Sequence, residues 1–135
     1  MKLTAYTDGA SRGNPGNAGI GAVIYNEKEE IIAELSEYIG ESTNNVAEYT
    51  AVIRALETGL ELGGVEITLY TDSELLTKQI LGSYKVRNEG LIPLYKQVLN
   101  LKAEYDKFAV VHVKREFNKL ADKLANQAVD KATKA

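Results

Sequence analysis

No cysteine occurs in this sequence, so disulfides, thiolate nucleophiles and cysteine-based zinc sites are excluded together. Histidine is almost as scarce, and with His112 standing alone any metal must be held by oxygen ligands or by that one imidazole. Prolines number two, and no repeat array, linker or low-complexity stretch divides the chain. Long apolar runs are missing as well: segments such as 108–113 fall far short of the ~20 residues that a membrane span needs. The first residues also lack the charged-then-apolar pattern of a signal peptide. The expectation is a soluble, cytoplasmic monomer. Against these absences stand 135 residues, 44% of them hydrophobic, enough for one domain over 1–135 with its own core and a frayed tail after about residue 130.

An excess of basic residues is also lacking. The formal net charge of -3 is unlike the basic footprint that phosphate binding leaves on most nucleic-acid proteins. The average conceals a division: residues 1–73 carry four Lys/Arg against twelve Asp/Glu, whereas residues 74–123 carry ten against six. An acidic metal-binding half beside a basic backbone-binding half is one reading of that asymmetry; an ordinary solvated surface is the other.

Alternation and β-formers predict strands over 3–7, 20–25 and 31–38, a meander with a Gly-rich loop after the first strand. Apolar positions at helical spacing, from Val46 and Tyr49 to Leu56 and Leu60, predict a helix over 45–62, stopped by Gly63-Gly64. A strand over 65–71, helices over 74–81 and 91–105, a strand over 108–113 and a helix over 118–131 complete the order βββαβααβα. A right-handed crossover through the first helix places the fourth strand parallel to the first, in an α/β fold with a mixed sheet. Tyr6-Thr7-Asp8 and Tyr70-Thr71-Asp72 then end neighbouring strands, so Asp8 and Asp72 emerge side by side where open α/β sheets place their ligands.

Each acid has a plain alternative. Asp8-Gly9 is also a turn dipeptide, Asp72 stands where an N-cap would, Glu48 follows Asn45 at capping-box spacing, and Asp122 lies beside an apolar helical stripe as a surface acid does. Their convergence favours function. Two strand-end aspartates, a glutamate in a first helical turn and an aspartate on the last helix can surround one point. Carboxylates packed so closely repel and need cations, and hard oxygen ligands select Mg²⁺ or Mn²⁺.

Four strings occur in order across nearly the whole chain: Thr7-Asp8-Gly9-Ala10-Ser11-Arg12-Gly13-Asn14-Pro15-Gly16, Thr43-Asn44-Asn45-Val46-Ala47-Glu48, Thr71-Asp72-Ser73 and Asn118-Lys119-Leu120-Ala121-Asp122-Lys123-Leu124-Ala125. Together they resemble the four motifs of type 1 ribonucleases H. That resemblance implies a five-stranded mixed sheet flanked by helices, with Asp8, Glu48, Asp72 and Asp122 binding two metal ions. It further implies hydrolysis of the RNA strand of an RNA/DNA hybrid to 5′-phosphate and 3′-hydroxyl ends.

Reading the 2′-hydroxyls of the cut strand falls to Ser11, Gly13, Asn14, Thr43, Asn44 and Asn45, although Asn14-Pro15-Gly16 is also a good turn and Asn44 or Asn45 a possible cap. Lys85, Arg87 and Asn88, in the polar stretch 82–90, are candidates for the phosphates of the DNA strand. The chain looks like short, archaeal-like members without the basic protrusion and without a preceding hybrid-binding domain. Many bacterial members have a mobile histidine before the last helix; here that loop carries Arg115, taken as its substitute, and His112 is predicted to be a packed or partly buried structural residue sharing a face with Phe108 and Val110. A non-catalytic nucleic-acid-binding module on the same fold is the alternative, which retention of the four carboxylates disfavours. A strand transferase or ATPase-like chemistry on this fold would need insertions that 135 residues do not accommodate.

Overall fold

The computed structural model describes residues 1–134. Its elements are β1 (Lys2–Gly13), β2 (Gly16–Tyr25), β3 (Ile31–Ser42), α1 (Asn44–Glu61), β4 (Glu66–Thr71), α2 (Glu74–Leu81), α3 (Ile92–Ala103), β5 (Lys107–His112), a single 3₁₀ turn at Arg115–Phe117 and α4 (Lys119–Thr133). The expected order is therefore present, in one five-stranded sheet of order β3-β2-β1-β4-β5. β1, β2 and β3 are antiparallel neighbours, and β4 and β5 join β1 in parallel, with Thr7 opposite Thr71. Asp8 is the next residue of β1, and Asp72 is the first residue past the end of β4. No helix among the described residues is long and apolar enough to cross a membrane.

Alternation divides the sheet into two faces. Leu3 and Ala5 of β1, Ala22 and Ile24 of β2, and Ile67 and Leu69 of β4 pack against Tyr49, Val52 and Leu56 of α1, with Leu76, Ile80 and Val98 closing that core. Val52 and Leu56 are fully buried, and each such side chain stabilises the fold by about 1.5–3 kcal/mol. α1 starts where Thr43 Oγ1 accepts the amide of Val46, and ends at Gly63, whose positive φ reverses the chain into β4. The cap is thus Thr43; Asn44 and Asn45 are the first two helical residues, and Glu48, five residues past that cap, is too far along to close a capping box with it.

Two departures concern element ends. The glycines after Asp8 predict a loop, yet β1 continues to Gly13 and pairs with β2 from Gly16, leaving Asn14-Pro15 as the tip of a hairpin. Glycine serves here for close approach. A Cβ at Gly9 would stand 2.4 Å from the backbone of Ala47 and Glu48, and one at Gly21, the register partner of Asp8, would stand 2.1 Å from the carbonyl oxygen of Ala121. Helices α1 and α4 consequently lie directly on opposite faces of the β1–β2 ribbon. The second departure is at the far end, where α4 runs to Thr133, past the expected onset of fraying.

Gly21→Ala is expected to destabilise the protein by roughly 1–3 kcal/mol through overpacking against α4, lowering the melting temperature by several degrees. A thermal melt checks it, and an unchanged midpoint would mean that α4 is free to yield.

Candidate active site

Four elements deliver the acidic residues. β1 carries Asp8 just beyond the register pair Thr7–Thr71, Asp72 follows the end of β4, Glu48 lies in α1 where that helix rests on Gly9, and Asp122 lies in α4 next to the Ala121 carbonyl that rests on Gly21. Carboxylate oxygens of Asp8, Glu48 and Asp72 all lie within 4.8 Å of one another. Asp122 joins them in lining a cleft of about 400 Å³ that also includes Ser11, Asn44, Arg115 and Asn126. A second concavity of about 430 Å³, beside Tyr6, Tyr25 and Phe117, has Glu29 as its sole carboxylate and offers no such convergence.

The plain alternatives for these acids fare unevenly. Ser73, not Asp72, caps α2, its hydroxyl accepting the amide of Leu76 at 3.1 Å. Asp8 does accept the amide of Gly9 at 3.0 Å, a local bond, but within a continuous strand and not a turn. Only 8% of Asp8 is exposed. Burial, the charge of Asp72, a hydrogen bond with Asp122 and the further charges of Asp122 and Glu48 push its carboxyl up to about 8. Glu48 is raised too, mainly by burial, with hydrogen bonds from Ser73 and Asn44 opposing the shift. Negative charge is in excess here, and the donors are all oxygen. That donor set suits a hard divalent cation, with Asp8, Glu48 and Asp72 closest to a common point and Asp122 at the side.

Asparagine amides hold the acids. Asn44 Nδ2 donates to Glu48 Oε1 at 3.1 Å, and Asn126 Nδ2 donates to Asp122 Oδ1 at 3.2 Å. Asn118, 1% exposed, donates to the Thr7 carbonyl at 2.8 Å and, at 3.4 Å, to Asp72 Oδ2, thereby stitching the start of α4 to the ends of β1 and β4. Its Oδ1 is buried without a hydrogen-bond partner. The sequence reading takes Asn118 only as part of a motif string and passes over Asn126; the spacing of four between Asp122 and Asn126 on a helix is the signal that could have found the latter.

The other expected residues divide by place. Asn14 Oδ1 accepts the amide of Asn44 at 3.2 Å, joining the hairpin tip to the start of α1 beside the capping Thr43 and the exposed Asn45. Ser11 uses its hydroxyl internally, on the carbonyls of Ser42 (2.7 Å) and Gly13. Gly13 has φ of 121°, which favours glycine at the turn. Arg115 lies in the 3₁₀ turn on the cleft wall, exposed. Lys85, Arg87 and Asn88 stand apart from that wall, in the connection between α2 and α3, where Asn88 Oδ1 accepts the amide of Gly90 at 2.8 Å.

His112 requires correction. It is exposed, with Nε2 3.2 Å from the carbonyl oxygen of Asp72, and is not a packed core residue. β5 is the outer strand of the sheet, paired on one side only, so alternation keeps Val110 at 8% exposure but does not carry burial to the strand's last residue.

A family model described as "Reverse transcriptase-like" matches residues 6–128. The chain is 40% identical over 136 residues to a bifunctional protein of Mycobacterium tuberculosis, covering 100% of itself and 37% of that relative. It is 41% identical over 131 residues to ribonuclease HI of Halobacterium salinarum, covering 97% of itself and 66% of the relative. The chain thus spans about a third and two thirds of these two proteins' lengths. The crystal structure of RNase H1 from the same halophile superposes with a TM-score of 0.95 at 40% identity, over 97% of this chain and 99% of that one. LC11-RNase H1, crystallised in complex with RNA/DNA hybrid, gives a TM-score of 0.90 at 46% identity, over 96% and 98% of the two chains.

Proposed function

This chain belongs to the ribonuclease H family, and from that premise we propose that it is an endoribonuclease that hydrolyses the RNA strand of RNA/DNA hybrids, leaving 5′-phosphate and 3′-hydroxyl ends. The observation that carries the reading is the convergence of Asp8, Glu48 and Asp72 oxygens within 4.8 Å, with Asp122 in the same cleft. Residues 1–135 act in this reading as one catalytic domain and as a monomer.

Asp8, Glu48, Asp72 and Asp122, which line one cleft, would hold two Mg²⁺ or Mn²⁺ ions. Such a pair, when bound, activates the attacking water and stabilises the leaving oxygen of an in-line displacement. The carboxylates therefore serve as ligands and orienting groups, and no covalent enzyme intermediate is needed. Asn14, Asn44 and Asn45, with backbone groups around Ser11, Gly13 and Thr43, read the 2′-hydroxyls of the RNA strand; the Asn14–Asn44 bond keeps the two parts of that surface in one register. Arg115, on the cleft wall, hydrogen-bonds the scissile phosphate. Lys85, Arg87 and Asn88 contact phosphates of the DNA strand outside the cleft. The hybrid seen with LC11-RNase H1 supports this choice of substrate.

A labelled RNA/DNA hybrid, incubated with Mg²⁺, Mn²⁺ or chelator beside the matching all-DNA duplex, tests the proposal. Cleavage is expected only of the RNA strand and only with a divalent ion, and end-labelling should find 5′-phosphate products. Cleavage that survives chelation would overturn the metal reading. Tight hybrid binding without cleavage would leave a non-catalytic module on this fold.

A further inference from the structure

Three of the four acidic side chains have an asparagine amide donating to them, but one of the three is tethered from behind. Asn126 Nδ2 donates both to Asp122 Oδ1 at 3.2 Å and to the Asp122 carbonyl at 3.0 Å. Its own carbonyl groups face Arg12: Nη2 of Arg12 donates to Asn126 O at 3.3 Å and to Asn126 Oδ1 at 3.4 Å, and Asp130 fixes the guanidinium at 2.6 Å. This brackets the amide chemically. A guanidinium has donors only and a carboxylate acceptors only, so Oδ1 must face Arg12 and Nδ2 must face Asp122; the flipped amide would meet repulsion at both ends.

Asp122 also differs from the other acids in place. Its oxygens stand outside the set of Asp8, Glu48 and Asp72 that share one 4.8 Å neighbourhood. Its side chain accepts from the Asn126 amide, so where its carboxylate rests is set by that donor. Arg12, meanwhile, is paired with Asn17 near the tip of the β1–β2 hairpin, two residues before Asn14.

We propose that Asn126 is the positioning residue for Asp122, and that Arg12, by orienting the Asn126 amide, couples the hairpin to the fourth acidic ligand. The inference rests on the metal-binding reading of the site given above. A carboxylate held by a donor at the correct distance presents one oxygen to a cation at little ordering cost; without that donor the Asp122 side chain samples rotamers on the helix surface, and affinity for metal falls. Arg12 and Asn126 act in series, so removing both should cost little more than removing Asn126.

Calorimetric titration of the folded protein with Mn²⁺, without nucleic acid, tests this, supplemented by kcat and KM for hybrid at saturating Mn²⁺. Asn126→Ala is expected to weaken Mn²⁺ binding by about 10-fold. KM for hybrid at saturating metal and the melting temperature in chelator should stay near those of the parent. Arg12→Ala should reproduce part of the loss, and the double variant should match Asn126→Ala. If Asn126→Ala does not fold, Arg12→Ala decides alone, since that side chain is 42% exposed and dispensable for packing. Folded variants that bind Mn²⁺ within twofold of the parent overturn the inference while leaving the proposed function intact. A parent protein that takes up no Mn²⁺ overturns both.

Discussion

Asp8→Asn and Asp72→Asn should each abolish hybrid cleavage, by more than roughly 10³-fold, without lowering the melting temperature in metal-free buffer. Losing a single well-placed donor at a reacting centre costs about 100-fold to 1000-fold, and a carboxylate that helps hold the metal is asked to supply at least as much. Stability should move the other way. Asp8 is buried among Asp72, Asp122 and Glu48, and its carboxyl is pushed up to about 8. The folded protein thus binds that proton more tightly than the unfolded chain, whose carboxyl titrates near ~4. Metal-free stability must fall as the pH rises from about 4 to about 8, and level off above that window. An asparagine at position 8 does not ionise, so the variant should gain on the parent across the window and lead by most above pH 8. Asp72→Asn removes no helix cap, because Ser73 is the cap of α2. Thermal melts in chelator at pH 5 and pH 8.5, with cleavage assays alongside, read both effects. A variant that melts earlier at both pH values while still cutting hybrid would return these residues to a structural role.

Arg115→Ala should reduce turnover at saturating hybrid by about 100-fold to 1000-fold, with KM and stability little changed. The guanidinium sits in the 3₁₀ turn between β5 and α4, on the wall of the acidic cleft, and is exposed before substrate arrives. A guanidinium offers donors and no acceptor, so it cannot serve as a general base, but it can hydrogen-bond the scissile phosphate and offset charge on the leaving oxygen. His112 provides the contrast. Its imidazole is exposed against the Asp72 carbonyl, so His112→Ala should change stability by within about 0.5 kcal/mol and leave most of the turnover. Steady-state kinetics with both variants separates the roles. An inactive, folded His112→Ala beside an active Arg115→Ala would transfer the assisting role to histidine.

These expectations differ in how far local pattern alone could support them. The repeated Tyr-Thr-Asp of residues 6–8 and 70–72 told that two strands end together, and their parallel register places Thr7 opposite Thr71. The periodic apolar stripe from Val46 to Leu60 likewise located α1. Features decided by neighbours from elsewhere in the chain were not legible. Gly9 and Gly19 fall in the stretch read as a loop, whereas each sits in a strand with a helix backbone pressed against it. Capping went to Thr43, two residues before Asn45, and to Ser73, one residue after Asp72, since side-chain geometry chooses among neighbouring polar residues. His112 follows the alternation of β5, but alternation does not report that the strand is outermost. Asn118 is a polar residue at 1% exposure, and its acceptors, the carbonyl of Thr7 and the carboxylate of Asp72, lie 111 and 46 residues earlier.

The turn at Gly63, where α1 gives way to β4, has a consequence for assembly. It falls between the second and third acidic residues, so the chain before it bears Asp8 and Glu48 and the chain after it bears Asp72 and Asp122. Neither part alone contains more than half of the cluster, and the seam that unites them is the parallel pairing of β1 with β4 at the middle of the sheet. In the proposed reading, cation affinity would therefore be a property of the finished topology and not of any contiguous stretch. An ion that recognises only this arrangement draws the folding equilibrium toward the native state by mass action, making the occupied centre a thermodynamic check that the long-range strand pairing has closed correctly.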